Sequence, residues 1–144
     1  MKHYATTKNP QSTTHNLQEQ LLEALVARDL KMFCALLRNP EVNPLHRYGP
    51  PHWLTCLEIA SQNAGCEEFV TALLQSGVKP NINTIVWEPI HHAAAEGHAN
   101  TLKVLLHDTR TKVNAVDNFG RTALHLAAKH FGQGEDVERY EYKK

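Results

Sequence analysis

Apolar residues recur along this chain at offsets of three and four, and the stripes they form come in pairs. Leu21, Ala24 and Leu25 make a first short stripe, followed by Phe33, Leu36 and Leu37. Leu57, Ala60 and Ser61 then precede Val70, Leu73 and Leu74, and Ile90, Ala93 and Ala94 precede Leu102, Leu105 and Leu106. A last pair opens with Leu124, Ala127 and Ala128 and fades at Val137, Tyr140 and Glu141. Such spacing marks one face of a helix. Each pair predicts two short helices joined by a tight turn. Gly65, Gly97 and Gly132 stand at three of those turns, where a positive φ costs a glycine little, and Arg28 takes the slot in the first.

The pairs also repeat in wording. Pro89-Ile90-His91-His92-Ala93-Ala94 is answered by Ala123-Leu124-His125-Leu126-Ala127-Ala128, with His91 and His125 34 positions apart. A unit of that length cannot bury its apolar face alone and must stack on a neighbour. The expected fold is therefore an all-α solenoid of about four helix-turn-helix units, with small residues on the first helix of each and larger ones on the second. Approximate bounds are 17–50, 51–83, 84–116 and 117–144, the last incomplete, after a flexible polar tail at 1–16. Thr55 and Thr122 suit helix N-caps, and Pro89 suits a first turn. Glu88 takes the threonine slot in the third unit, where a looser turn is expected. In the second unit Glu58 replaces the histidine, and one extra residue is expected to lengthen the first helix.

Thr122-x-Leu124-His125-x-Ala127 is similar to the ankyrin signature, as is Pro89-Ile90-His91-His92-Ala93 completed by Gly97-His98 and its following leucines. The resemblance covers roughly residues 17–141. It implies a non-enzymatic module that binds a protein partner through loop tips and a concave face, with His91, His125 and His98 holding turn backbone. Residues 22–29 and 64–70 further resemble the N-terminal arrays of Painless-type channels, in the ankyrin class of transient receptor potential channels. That resemblance implies the cytoplasmic front end of a cation channel, tetrameric only in the full-length context. A free-standing cytosolic adaptor is the other reading. The chain is expected to be a fragment, since its fourth unit stops inside a second helix.

Fifteen basic and fifteen acidic residues balance, which argues against nucleic-acid binding through bulk charge. No apolar run is long enough to span a bilayer, so this segment is not expected to insert. Three cysteines, Cys34, Cys56 and Cys66, in a chain without a signal-peptide pattern point to reduced thiols in the cytoplasm.

Ten histidines raise the question of metal. His91 and His92 are adjacent and point about 100° apart on a helix, so they do not share an ion. No cofactor, metal or catalytic residue is expected. Cys66 is the best nucleophile candidate because it should begin a helix, but Glu67 and Glu68 oppose its ionisation. The partner-binding candidates are aromatic residues in the connectors, Tyr48, Trp53, Trp87 and Phe119. Trp53 and Trp87 have a second reading, as packing that fills the space of missing turn glycines. The residues expected to hold the repeat itself are Thr55, Gly65, Pro89, His91, Gly97, His98, Thr122 and His125.

Overall fold

Helix pairs with one small-residue face and one bulky face can stack side by side, and the chain does so. In the computed structural model, which describes residues 13–81 and 87–132, seven helices follow in order: α1 (Thr13–Val26), α2 (Leu30–Leu37), α3 (Cys56–Ser61), α4 (Glu67–Gln75), α5 (Pro89–Glu96), α6 (Ala99–His107) and α7 (Ala123–Gly132). The inner helices α1, α3, α5 and α7 stack in one layer, and the outer helices α2, α4 and α6 in a second. The described residues contain no strand, only an isolated antiparallel bridge between Tyr48 and Leu54. This is the expected all-α solenoid.

Ala60, Ala93 and Ala94 bring the inner helices together, and Phe33, Leu36, Phe69, Val70, Leu73 and Leu105 fill the layer behind. Phe33 of α2 meets Phe69 of α4 edge-on, ring centres 5.1 Å apart, a favourable geometry for the two ring quadrupoles. The turns follow the predicted logic. Gly65 and Gly97 have φ of +77° and +73°, and Arg28, in the glycine slot, has φ of +61°. A β-carbon at Gly97 would run into the His130 ring, so that turn excludes side chains for two separate reasons.

Three expectations need correction. α1 begins at Thr13, inside the stretch read as a tail, because the helical pattern before Leu17 has no breaker after Pro10. α3 is six residues long, shorter than the eight of α5. The extra residue of the second unit lies in the turn, where Asn63 Nδ2 donates to the Ile59 carbonyl and helps end the helix. Gly132, expected at a turn, is the last residue of α7. The fading stripe at Val137, Tyr140 and Glu141 lies outside the described residues.

The turn at Glu88 is not loose. The Glu88 N–H donates to His91 Nδ1 at 3.0 Å, so the imidazole closes the helix start from its third position. Thr55 and Glu58 close α3 reciprocally: Glu58 Oε1 accepts from the Thr55 N–H at 2.9 Å, and Thr55 Oγ1 accepts from the Glu58 N–H at 3.3 Å. Glutamate and histidine thus perform the same local task in the same slot.

Candidate binding surface

Hydrogen bonds between units set the position of each connector. His91 is fully buried, and its Nε2 lies 2.9 Å from the Ala115 carbonyl in the next connector. Since Nδ1 accepts from the Glu88 N–H, Nε2 is the nitrogen that donates to the Ala115 carbonyl. Both nitrogens are used by backbone, which leaves neither for a metal. His98 Nε2 lies 3.2 Å from the Gln62 carbonyl, and Arg28 Nη1 donates to the Ala64 carbonyl at 2.8 Å. Both neighbours of the second unit therefore hold the turn that carries its extra residue. In the fourth unit Thr122 Oγ1 accepts from the His125 N–H at 3.2 Å, as its N-cap role requires.

Of the four aromatic candidates one is buried, one half-buried and two exposed. Tyr48 is buried, and its hydroxyl donates to the Gln18 carbonyl at 2.6 Å. Burial pushes its phenol far above the ordinary range, with Cys56 beside it. Tyr48 holds the first connector to α1 and presents no ring to a partner, which corrects the expectation. Trp87 is half-buried against the core. Its indole Nε1 donates to Asp117 Oδ2 at 3.0 Å, and its ring meets His92 edge-on at 5.2 Å. Trp87 thus packs on the core while part of its ring remains accessible.

Trp53 is 53 % exposed. It closes the loop after Gly49-Pro50-Pro51, with φ of +54°, an uncommon conformation for a bulky residue. A β-carbon at Gly49 would collide with its ring and backbone, so the indole lies across the bare glycine. The Trp53 carbonyl accepts from Arg47 Nη1 at 3.0 Å. Phe119 is 75 % exposed, with the Arg121 guanidinium 5.0 Å from its ring centre. A cleft of about 580 Å³ lies between the first and second connectors, lined by Asn43, Leu45, Arg47, Val78 and Lys79 among others.

Sequence reasoning missed the residue that shapes the Phe119 loop. Asp117 Oδ1 accepts from the N–H groups of Phe119 and Arg121, and Oδ2 from Trp87 Nε1 and Arg121 Nε, all at 2.9–3.0 Å. Burial by itself would raise this carboxyl. The Arg121 N–H, the indole and the Phe119 N–H outweigh it and hold the group well below the usual carboxylate range. The Asp117 and Arg121 spacing of four was the available signal, but the tryptophan partner lies 30 residues away.

A second polar cluster joins units two and three. Glu58 Oε2 is 3.9 Å from His92 Nε2, and Arg47 Nη1 is 3.5 Å from Glu58 Oε1. Burial raises the Glu58 carboxyl, against the Thr55 N–H and Arg47, which lower it. Burial, helped by His91, pushes the His92 imidazole down to about 4 from 6.5. A depressed imidazole is a neutral group that stabilises the fold above pH 6.5, and that contribution is lost as pH falls toward 4. The raised carboxyl works in the opposite sense, its contribution falling away as pH rises above about 4.5. Replacing His92 with glutamine is therefore expected to reduce acid destabilisation between pH 6.5 and 4 by up to about 3 kcal/mol. Urea unfolding at stepped pH, with Glu58→Gln as the opposing control, measures it. Parallel wild-type and His92→Gln curves would refute the assignment.

Burial also raises two of the three thiols. Cys56 is pushed up to about 12, and Cys66, at the start of α4 but buried, is raised. At Cys66 burial, together with the Glu67 charge, outweighs Arg28 and opposes ionisation of the thiol. Among the described residues no three His, Cys, Asp or Glu side chains are grouped to hold a metal, and no helix is long and apolar enough to cross a membrane.

Stacked helix pairs with projecting connectors define a repeat solenoid, a class of protein that works by surface contact. A family model for ankyrin repeats, in three copies, matches residues 57–139, more than half of the chain. The chain belongs to the ankyrin-repeat family, whose members are protein-interaction modules.

Proposed function

We propose that this array binds a protein partner along its connector edge, with Trp53 and Phe119 as the anchoring side chains and the cleft beside Arg47 receiving the partner's chain. No catalysis and no cofactor enter this reading. The observation that carries it is Trp53: a large amphipathic ring, half exposed, held in one orientation by its neighbours. Rings of this kind lose little entropy on contact and concentrate interface energy. Leu45 and Lys79 beside the cleft favour a partner segment with mixed apolar and acidic character.

A peptide selected on the wild-type array from a displayed library provides the probe. Trp53→Ala is expected to weaken that peptide by about 1–4 kcal/mol, measured by calorimetry, while the thermal midpoint stays in place. Unchanged affinity would remove Trp53 from the surface.

The resemblance at residues 17–83 supports a finer reading, in which the array is the cytoplasmic front of a Painless-type cation channel. The free thiols of Cys34, Cys56 and Cys66 accord with a reducing compartment. Six apolar spans of about twenty residues in the parent reading frame are the expected finding. Their absence favours a free-standing adaptor.

A further inference from the structure

The connector arginines are not used alike. Arg110 turns Nε and Nη2 to the two oxygens of Asp108, at 2.9 and 2.6 Å, and Arg121 turns Nε to Asp117 at 2.9 Å. Arg47 has no such aspartate. Its Nη1 donates to the Trp53 carbonyl at 3.0 Å and lies 3.5 Å from Glu58 Oε1. Among the described residues its Nε and Nη2, the edge that grips a carboxylate in Arg110, have no partner. Arg47 lines the cleft between the first and second connectors. So does Lys79, which is exposed and makes no ion pair among the described residues. No carboxylate lines the cleft. Its uncharged polar side chains are committed elsewhere in the protein. Asn81 Oδ1 accepts from the Lys112 N–H at 3.1 Å, Asn43 Oδ1 from the Leu45 N–H at 3.0 Å, and Ser76 Oγ donates to the Leu73 carbonyl at 2.7 Å. The charged capacity left open is donor capacity, and its complement is an anion.

We infer that the cleft seats one acidic side chain, an aspartate or glutamate of a protein partner, with its carboxylate held by Nε and Nη2 of Arg47 and Lys79 supplying the second charge. This rests on the connector edge being a binding surface, and it names the residue type that the surface reads. Three features select that occupant. The Nη1 bond to the Trp53 carbonyl already orients the guanidinium, so a planar carboxylate meets a fixed fork at little entropic cost. Trp53 and Leu45, 53 % and 52 % exposed, put apolar surface beside the two cations. A peptide uses that surface with the residues flanking its acid, and a free anion does not. Glu58 beside Arg47 offsets one of the two positive charges, which suits a monoanionic carboxylate better than a dianionic phosphate group. The balanced charge of the whole chain likewise disfavours a nucleic-acid backbone.

The probe is a peptide selected on the full chain from a displayed library, compared by calorimetry with versions carrying the amide, Asn or Gln, at each acidic position in turn. One of those replacements is expected to weaken binding to the wild type by about tenfold to a hundredfold, the scale of a charged hydrogen bond. The same replacement is expected to cost little on Arg47→Gln, where the fork is already gone. Lys79→Glu is expected to weaken the parent peptide and to leave the amide version unchanged. Lys79 is exposed, so this variant keeps the test intact should Arg47→Gln fail to fold, and circular dichroism checks both. An amide series without effect on the wild type overturns the inference, as does an effect undiminished in the variants. If Trp53→Ala still weakens the peptide in that case, the connector edge remains a binding surface and only the acidic seat is lost. If Trp53→Ala is silent as well, the surface itself is lost. Inorganic phosphate or a poly-uridine strand that displaces the peptide at comparable concentration, with the same dependence on Arg47, overturns the assignment to a peptide carboxylate.

Discussion

Replacing Leu105 with alanine is expected to lower the stability of the array by about 2–5 kcal/mol. Leu105 has no solvent exposure. It sits on α6, which packs both on α5 of its own unit and on α4 of the previous one. The lost side chain removes apolar burial and leaves a void that short helices close only in part. The array communicates stability only between neighbours, so a hole in the α4–α5–α6 layer weakens two units at once. Urea unfolding followed by helix circular dichroism reads the effect as a lowered midpoint. The neighbouring Leu106, half exposed, is the control, and Leu106→Ala is expected to stay within about 0.5 kcal/mol. Equal losses at the two positions would mean that α6 does not pack in the register described.

Asp117→Ala is expected to cost about 3–5 kcal/mol, the scale for removing one side of a buried charge network. The substitution strands four donors together: the Trp87 indole, the Arg121 guanidinium, and the N–H groups of Phe119 and Arg121. Those donors tie unit three to the connector of unit four, so the loss separates the units as well as loosening a loop. Asp117→Asn keeps a side-chain oxygen for the two backbone donors and is expected to lose less. The pH dependence has a definite sign. The folded carboxyl lies below its unfolded value, so its contribution is complete above about pH 4 and is lost as pH falls further. Thermal midpoints of both variants at pH 7, and of the wild type down to pH 2, test these statements. A loss under about 1 kcal/mol for Asp117→Ala would show that the network does not bear on stability.

Much of the scaffold was legible from the chain because its causes are local. Offsets of three and four marked the second helices of units one to three, and the glycines marked two of the turns. The placement of Thr55 before Cys56 and of Pro89 at the start of α5 followed from end chemistry alone. Errors fell where a local rule left two outcomes open. An extra residue in unit two can extend a helix or enlarge a turn, and Asn63 capturing the Ile59 carbonyl decides for the turn. Glu88 is a poor cap by type, and the turn is nonetheless closed by the His91 imidazole accepting from the Glu88 N–H.

The aromatic residues show the other limit. Tyr48, Trp53, Trp87 and Phe119 look alike in the sequence: large rings among polar neighbours in connectors. Tyr48 is closed off by Gln18, 30 positions before it, and Trp87 is held half-buried by Asp117, 30 positions after it. Trp53 and Phe119 meet no such distant ring partner among the described residues and are exposed. Short-range spacing and end chemistry specify a hairpin, so the helices, their period and the stacked class could be read from the chain. Which rings, thiols and carboxylates are accessible followed from how the units pack. Accessibility depends on groups one unit away, and nothing in a residue's own neighbourhood records their distance.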